Sequence, residues 1–248
     1  MKENKLNLNV ADKVRLLTVF DNYEFDDNLQ TGWGFSCLVE VNDTKILFDT
    51  GADGPVLLGN MKKLGLSPSE IDAVVLSHPH FDHTGGLAAL LGQNSDMRVY
   101  GHTGFGDKFG SAVESRGASY VEVSSSRTIT ASSGATGPVG TGLTEQAFFV
   151  STPEGLVVVT GCAHPGVVRM AQAAKASTGE DIHLVLGGFH LGGASRNQLE
   201  ETAKELRELG VNKAAPCHCS GDACRRVFSN VFGDNYVENG TGRSIRIP

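Results

Sequence analysis

The stretch "LSHPHFDHTGG", residues 76–86, contains three histidines and one aspartate within six positions, at the end of an apolar run. Residues two apart on an extended strand share a face, so His78 and His80 can point at one ion together. The chain then turns, which directs Asp82 and His83 towards a second position. Three imidazoles and a carboxylate suit zinc, and also iron or manganese. The stretch therefore predicts a metal site at the end of a strand.

The first half of the sequence predicts strands joined by hairpins, followed by helices. Apolar residues 13–20 and 35–51 predict strands, with Asn42 and Asp43 as a two-residue hairpin turn. The near-continuous apolar run at residues 71–78 predicts a fully buried strand that ends in the metal motif. The remaining predicted elements are a helix at residues 55–64, a helix beginning within residues 84–92, and a strand at residues 97–102.

The second half of the sequence alternates between strands and helices. Residues 145–152 and 155–162 predict a hairpin, and the strands that follow are predicted at residues 182–189 and 211–218. Helices are predicted at residues 166–176, at residues 196–209 and from Asp222 onward. Hairpins followed by alternating strands and helices predict an α/β fold with sheets covered by helices.

A Ser/Gly/Thr-rich stretch at residues 124–142 is the candidate boundary within the chain. Its composition predicts a mobile loop rather than a domain break. The whole chain has 248 residues, 40% hydrophobic and 20% charged residues, which is typical of a soluble globular protein. Length alone allows one large domain or two small ones.

Charge and cysteine content narrow the expected surroundings of the protein. A net charge of −7 argues against general binding to a phosphate backbone, and no apolar run approaches the roughly 20 residues of a membrane span. The N-terminus lacks the apolar core of a signal peptide. Five cysteines are an odd number, which favours reduced thiols. We therefore expect a cytoplasmic protein that binds neither nucleic acid nor membranes.

Two motifs resemble those of the metallo-β-lactamase superfamily. "HPHFDHTGG", residues 78–86, matches its H-x-H-x-D-H motif, and "ILFDTG", residues 46–51, matches its first motif. This resemblance implies a four-layered αβ/βα sandwich, formed by residues 1–248 as a single domain, with a dinuclear metal site at one edge. Four stretches also resemble the branch labelled 7,8-dihydropterin-6-methyl-4-(β-D-ribofuranosyl)-aminobenzene-5′-phosphate synthase, namely "SHPHFDHTGGL", "TGCAHPG", "LGGFHL" and "PCHCSG".

The superfamily pattern needs more ligands than the four in the motif. His218, at the end of a predicted strand, matches the pattern's last histidine. The pattern's bridging aspartate is replaced here by Cys162. A thiolate can hold zinc, so Cys162 is a candidate ligand, while a nucleophilic role and simple packing remain the alternatives.

The third histidine of the pattern has no counterpart between Tyr120 and Gly161. His164 is the preferred candidate because it lies on the same turn as Cys162, whereas His102 is expected to be a strand-end residue. The resemblance thus implies two bound ions, zinc or alternatively iron or manganese. The implied ligands are His78, His80, Asp82, His83, Cys162, His164 and His218.

Three further predictions concern residues around the metals. His190 follows a predicted strand and is expected to contact substrate or donate a proton. Asp49 is expected to accept a hydrogen bond from a ligand imidazole, with capping of its own turn as the alternative. The cysteines at positions 217, 219 and 224 are expected to be packing thiols, with a separate zinc site as the alternative.

Helix starts after His164 and after His218 offer backbone N–H groups that suit a phosphate or carboxylate, with Arg169 and Arg225 nearby. The resemblance implies a hydrolase in which two metals lower the pKa of a shared water towards ~7 and supply hydroxide. Asp82 would hold the second metal and orient this nucleophile, and His190 would protonate the leaving group. We expect a small anionic or phosphorylated substrate. The alternatives are the synthase activity of the branch and a metal-holding sensor module with little turnover.

Overall fold

The computed structural model describes residues 5–247, and contacts group the chain into two compact units. The motif unit comprises Asp12–Ser124 and Gly240–Pro248. The thiol unit comprises Met1–Ala11 and Ser125–Asn239. The division after Ser124 falls at the start of the Ser/Gly/Thr-rich stretch, and the single domain expected from the resemblance stays a prediction.

The motif unit is built on a seven-stranded mixed sheet. Its strand order is β13-β1-β2-β3-β4-β5-β6, antiparallel from β13 to β3 and parallel from β3 to β6. The predicted hairpin turn is confirmed between β2 and β3, where Asn42 has a φ of 54°. The strands are β1 Val14–Phe20, β2 Ser36–Val41, β3 Thr44–Phe48, β4 Ala73–Val75, β5 Arg98–His102, β6 Ser119–Val123 and β13 Ser244–Ile247.

Apolar side chains of α1, α3 and α4 are buried in this unit, whereas α2 buries Asp82 and His83. The first helix begins after Asp53, whose side chain accepts the Val56 N–H, and Pro55 suits its first turn because proline needs no N–H partner there. Leu57 and Leu90 are fully buried in the core of this unit. The helices are α1 Gly54–Lys63, α2 Phe81–Thr84, α3 Leu87–Leu91 and α4 Asp107–Glu114, with 3-10 turns at Pro68–Glu70 and Thr103–Phe105.

The thiol unit is built on a six-stranded mixed sheet. Its strand order is β12-β11-β10-β9-β8-β7, antiparallel from β7 to β10 and parallel from β10 to β12. Parallel strands end at the same edge of a sheet, so the residues that follow β10, β11 and β12 come together. The strands are β7 Arg127–Thr130, β8 Ser133–Ala135, β9 Phe148–Thr152, β10 Gly155–Thr160, β11 Ile182–Gly188 and β12 Lys213–Cys217.

Strands β7 and β8 lie within residues 124–142, so the prediction of a mobile loop there was wrong. Small polar residues hid the strands, but β7 contains two β-branched threonines and an isoleucine, which favour extended backbone. The hydroxyl groups of Thr130 and Ser133 lie 2.7 Å apart across the turn. This short hairpin pairs with β9 and completes the sheet.

Three helices cover the thiol unit, and the predicted βα alternation is confirmed. The predicted apolar face of α6 is buried at Leu199, Ala203 and Leu206. Within residues 5–247 no helix combines the length and the apolar character needed to cross a membrane. The helices are α5 Val167–Thr178, α6 Arg196–Glu208 and α7 Asp222–Phe232, with 3-10 turns at His218–Ser220 and Gly233–Asn235.

Candidate metal centre

In the motif unit, Asp49 organises the histidine motif from the end of β3. One carboxylate oxygen accepts the Ser77 N–H at 2.7 Å, and the other accepts the Ser77 hydroxyl at 2.7 Å. The second oxygen also lies 2.7 Å from Nδ1 of His83. Both Asp49 and His83 are fully buried. Strand β4, Ala73–Val75, is shorter than the strand predicted at residues 71–78, and Ser77 bonds to Asp49 beyond its end.

These hydrogen bonds determine which ring nitrogens of His83 and His78 point away from Asp49. A carboxylate only accepts hydrogen bonds, so Nδ1 of His83 carries a proton, and Nε2, 3.5 Å from Asp82, is the nitrogen that would bind a metal in place of a proton. The Ser77 hydroxyl gives its proton to Asp49, so its oxygen accepts from Nδ1 of His78, 2.9 Å away. Asp49 therefore orients His83 directly and His78 through Ser77.

The other motif residues lie beside these rings. Nε2 of His78 is 3.1 Å from Nδ1 of His80, and the His78 and His83 ring centroids are 4.3 Å apart. A carboxylate oxygen of Asp82 is 3.5 Å from Nε2 of His83. Burial lowers the pKa of His83, but Asp49 and then Asp82 outweigh it and raise that pKa to about 10. The two carboxylates thus make the cluster attractive to a cation.

The glycines after the motif allow it to pack closely against the β3 turn. A Cβ atom on Gly86 would fall against the carbonyl oxygen of Thr50 and the side chain of Leu57. Thr50 in turn donates its N–H and its hydroxyl to the His83 carbonyl, at 2.8 and 2.9 Å. The turn that carries Asp49 and the segment that carries His83 are therefore held together.

The structure gives His102 a capping role. It ends β5, and its Nδ1 accepts the Gly104 N–H at 2.9 Å while its ring packs edge-on against Phe105. This arrangement supports the expectation that His102 is a strand-end residue.

In the thiol unit, the carboxyl ends of three parallel strands bring the predicted side chains together. Cys162 and His164 follow β10, His190 follows β11, and His218 follows β12. Sγ of Cys162 lies 3.4 Å from Nε2 of His218. The rings of His164 and His190 have their centroids 4.2 Å apart.

Cys219 also belongs to this group, and the packing role expected of it stays a prediction. Its Sγ and the ligand atoms of Cys162 and His190 all lie within 4.8 Å of one another. Contact with Cys162 and then His190 lowers the pKa of Cys219 to about 4 against the effect of burial. Cys217 and Cys224 are buried, as expected of packing residues, and burial raises the pKa of Cys224 to about 12.

A buried carboxylate that the sequence did not reveal, that of Glu145, shapes the turn after β10. One oxygen accepts the N–H groups of Gly161, Cys162 and Ala163 at 3.1, 2.9 and 2.8 Å, and the other accepts the His164 N–H at 3.0 Å. Four successive donors converge on one side chain that is fully buried. Glu145 thereby sets the direction of both Cys162 and His164.

Strained backbone is concentrated at these residues. Five non-glycine residues among positions 5–247 have a positive φ, and four of them lie at the predicted site or beside it. Such conformations are costly for residues with a side chain, and they cluster at functional sites in proteins. The four are Asp49 at 56°, Ala163 at 59°, His190 at 52° and His218 at 50°.

The suggested anion contacts differ between the two arginines. A cavity of about 250 Å³ at the start of α5 is lined by His164, Gly166, Arg169 and His190, among other residues. Arg225 instead donates to the Asn239 carbonyl at 3.2 Å and to the Glu238 carboxylate at 3.5 Å. Arg169 therefore lines a cavity together with predicted site residues, whereas Arg225 is held by Glu238 and Asn239.

Comparison with known proteins identifies the family. Residues 34–218 match the model of the metallo-beta-lactamase superfamily. A Methanocaldococcus jannaschii relative named 7,8-dihydropterin-6-methyl-4-(beta-D-ribofuranosyl)-aminobenzene-5′-phosphate synthase is 28% identical, covering 97% of this chain and 99% of the relative. A solved metal-dependent hydrolase of the beta-lactamase superfamily has a TM-score of 0.79 at 27% identity, covering 94% of this chain and 99% of that one.

A more distant similarity concerns the fold alone. The metallo-beta-lactamase fold protein YhfI from Bacillus subtilis has a TM-score of 0.70 at 16% identity, covering 95% of this chain and all of that one. Two mixed sheets with flanking helices agree with these similarities, so the predicted α/β fold class is confirmed. Because the family model matches well over half of its residues, this chain belongs to the metallo-β-lactamase superfamily.

Proposed function

We propose that this protein is a metal-dependent hydrolase of a small anionic or phosphorylated metabolite. The observation that carries the proposal is the hydrogen bonding of Asp49, which leaves Nε2 of His83 and, through Ser77, Nε2 of His78 as metal-binding atoms. The similarity to the solved metal-dependent hydrolase supports the same reaction class.

The donor atoms suit the metals that the resemblance implies. Imidazole, carboxylate and thiolate together favour zinc, with iron or manganese as alternatives, and two ions are proposed per chain. Bound ions would acidify a water molecule and polarise the bond to be broken. The proposed ligands are His78, His80, Asp82, His83, Cys162, His164 and His218.

Two side chains have proposed roles in the chemistry itself. Asp82 is proposed both as a ligand and as the group that orients the attacking water, because a carboxylate has two oxygens that accept hydrogen bonds. His190 is exposed, and its contact with Cys219 raises its pKa, against the effect of burial. A raised pKa keeps more of the imidazole protonated near neutral pH, so His190 can give a proton to the leaving group.

The proposed substrate class rests on the cavity at the start of α5. The first N–H groups of α5 and the Arg169 side chain favour binding of a negatively charged group, and His190 lines the same cavity. A volume of about 250 Å³ suits a small substrate or one part of a larger one. A phosphate or carboxylate held there lies beside the proposed proton donor.

The test begins with elemental analysis of protein purified without added metal. We expect about two metal equivalents per chain, and hydrolysis of at least one compound in a panel of phosphodiester, phosphomonoester, lactone and thioester substrates. His218→Ala should lose metal and activity, whereas His102→Asn should keep both because asparagine also caps a helix. Metal-loaded protein without turnover on any of these compounds would contradict the proposal.

A synthase is the second candidate, favoured by the similarity to the Methanocaldococcus jannaschii enzyme along nearly the whole of both chains. Incubation with a dihydropterin that carries a phosphate or diphosphate leaving group on its 6-methyl carbon and with ribofuranosyl-aminobenzene 5′-phosphate, followed by chromatography, tests for the released leaving group and the joined product. Its appearance without hydrolysis in the substrate panel would favour the synthase. Metal binding with neither reaction would instead favour a sensor module.

A further inference from the structure

Two thiols and an imidazole converge within the thiol unit. The ligand atoms of Cys162, His190 and Cys219 all lie within 4.8 Å of one another. Sγ of Cys219 is also 3.5 Å from the Cys162 carbonyl oxygen, so the loops after β10 and β12 touch at this point. Two thiolates and one imidazole are donors that zinc and similar thiophilic cations prefer.

The packing around the two thiols depends on a glycine. A Cβ atom on Gly188 would fall against the Gly161 carbonyl oxygen, 2.8 Å from Sγ of Cys219 and 3.1 Å from Cα of Cys162. Glycine at this position, at the end of β11, therefore allows the strand to pack against both cysteines, and a side chain there would displace Sγ of Cys219.

The three donors run from the interior to the surface. Cys162 is buried, Cys219 is half-buried and His190 is exposed. Three protein ligands leave the fourth position of a tetrahedral ion available to water or substrate, as in catalytic zinc sites. The arrangement is thus reachable from solvent, unlike a closed structural zinc site.

We propose that Cys162, His190 and Cys219 bind a thiophilic divalent cation at a site distinct from the histidine motif. On binding, any sulfur or ring nitrogen that still carries a proton at the binding position gives it to solvent, and each of the three donors shares a lone pair with the ion, so no oxidant or reductant is needed. His190 coordinates through one ring nitrogen as a neutral imidazole, so it serves as the proton donor of the hydrolase only while this cation is absent.

Cys162 belongs both to this site and to the ligands proposed for the hydrolase. The alternative to the proposed cation site is therefore a metal that contacts Cys162 and no other cysteine. Cys219 distinguishes the two possibilities because it is a ligand only in the proposed cation site. Cys224 is a matched control, since it is a buried cysteine of the same unit outside the cluster.

The experiment titrates metal-free, full-length protein with Co²⁺ under reducing conditions. Bound cobalt is measured by elemental analysis, and sulfur-to-cobalt charge transfer is followed by near-ultraviolet absorbance. We expect Cys219→Ser to lose about one equivalent and at least half of the absorbance, because the ion that both sulfurs contact is lost and only Cys162 can still contact a metal of the hydrolase. His190→Gln should weaken that equivalent by about tenfold or more. Cys224→Ser should match the unsubstituted protein.

The same stoichiometry and absorbance in Cys219→Ser would overturn the proposal in favour of contact through Cys162 alone. A thiol titration of denatured protein, purified without a reductant, that falls two short of five and is restored to five by reduction would also overturn it if Cys219→Ser abolishes the shortfall, because Cys162 and Cys219 would then be joined as a disulfide. The His80→Ala variant tests the proposed cation site independently of the proposed hydrolase activity. We expect this variant to lose hydrolysis and to keep the cobalt–thiolate absorbance, and loss of the absorbance would contradict a distinct site.

Discussion

Nδ1 of His83 lies 2.7 Å from a carboxylate oxygen of Asp49, a residue 34 positions earlier in the chain. Both side chains are fully buried, and Ser77 bonds to the same carboxylate. One aspartate thereby sets the tautomer and the direction of two imidazoles. The "FDTG" motif is thus linked to the histidine motif by hydrogen bonds as well as by strand order.

Asp49→Asn is expected to reduce the affinity of the protein for metal by about 10- to 100-fold, as is typical when the hydrogen-bond partner of a ligand histidine is lost. The asparagine amide has one acceptor oxygen where the carboxylate has two, so its NH₂ group would face a donor of Ser77 or His83. Asparagine tolerates the positive φ of this position, so the backbone should be unchanged. Competition with a chromophoric chelator measures the affinity.

The matched control is Asp53→Asn, at the start of α1. Asparagine caps a helix about as well as aspartate, so this variant should bind metal with unchanged affinity. Equal affinities for the two variants would show that Asp49 does not act on the metal ligands.

Glu145→Gln is expected to destabilise the fold by about 3 kcal/mol, because hydrogen bonds to a charged group are strong and buried donors are costly to leave unpaired. Four backbone N–H groups share the carboxylate, and glutamine has only one acceptor oxygen for them. Denaturant unfolding measures the change.

Glu238→Gln is the control for this prediction, because Glu238 is a largely exposed residue of the same unit, 67% accessible at its side chain. Its unfolding free energy should stay within about 0.5 kcal/mol of the unsubstituted protein. A midpoint for Glu145→Gln equal to that of the control would contradict the role of the buried carboxylate.

Much of the fold was predictable because its signals are local. Asn42 marks the β2–β3 turn, and the spacing of Leu199, Ala203 and Leu206 marks the buried face of α6. The histidine motif was equally local, since four of its side chains fall within six positions. Periodicity and turn chemistry act over a few residues, which is the range that a single sequence reveals.

Contacts between distant segments were not predictable in the same way. Glu145 looked like the first residue of a strand, yet it lies before β9 and binds a turn 16 to 19 residues later. Cys219 looked like one of three packing thiols, but the parallel pairing of β10, β11 and β12 brings it beside Cys162 and His190. Both residues depend on strand order, which residue spacing does not encode.

Gly86→Ala and Gly59→Ala are expected to change stability in opposite directions. A Cβ atom on Gly86 meets the Thr50 carbonyl, so overpacking should destabilise the fold by about 1–3 kcal/mol. Gly59 lies within α1 with no atom near its would-be Cβ, so alanine should stabilise the helix by about 0.5–1 kcal/mol. Thermal unfolding measures both, and the same sign for both variants would contradict the close packing at Gly86.

The ion pair between Arg15 and Glu40 predicts a dependence of stability on pH. The residues face each other across β1 and β2, and the hydrogen bonds from Arg15 lower the pKa of Glu40 against the effect of burial. A carboxyl group with a lower pKa in the folded chain stabilises the fold above its unfolded pKa of about 4.3, and this contribution is lost as the pH falls through the folded pKa.

A double-mutant cycle of Arg15→Gln and Glu40→Gln, followed by denaturant unfolding from pH 7 to pH 3, measures this contribution. The side chains are 28% and 22% exposed, so water screens the pair and we expect a coupling of up to about 1 kcal/mol at pH 7. The coupling should decline only below pH 4.3, because protonation of Glu40 removes its charge while Arg15 stays charged. A coupling that is constant down to pH 3, or that grows on acidification, would contradict the assignment of this pair.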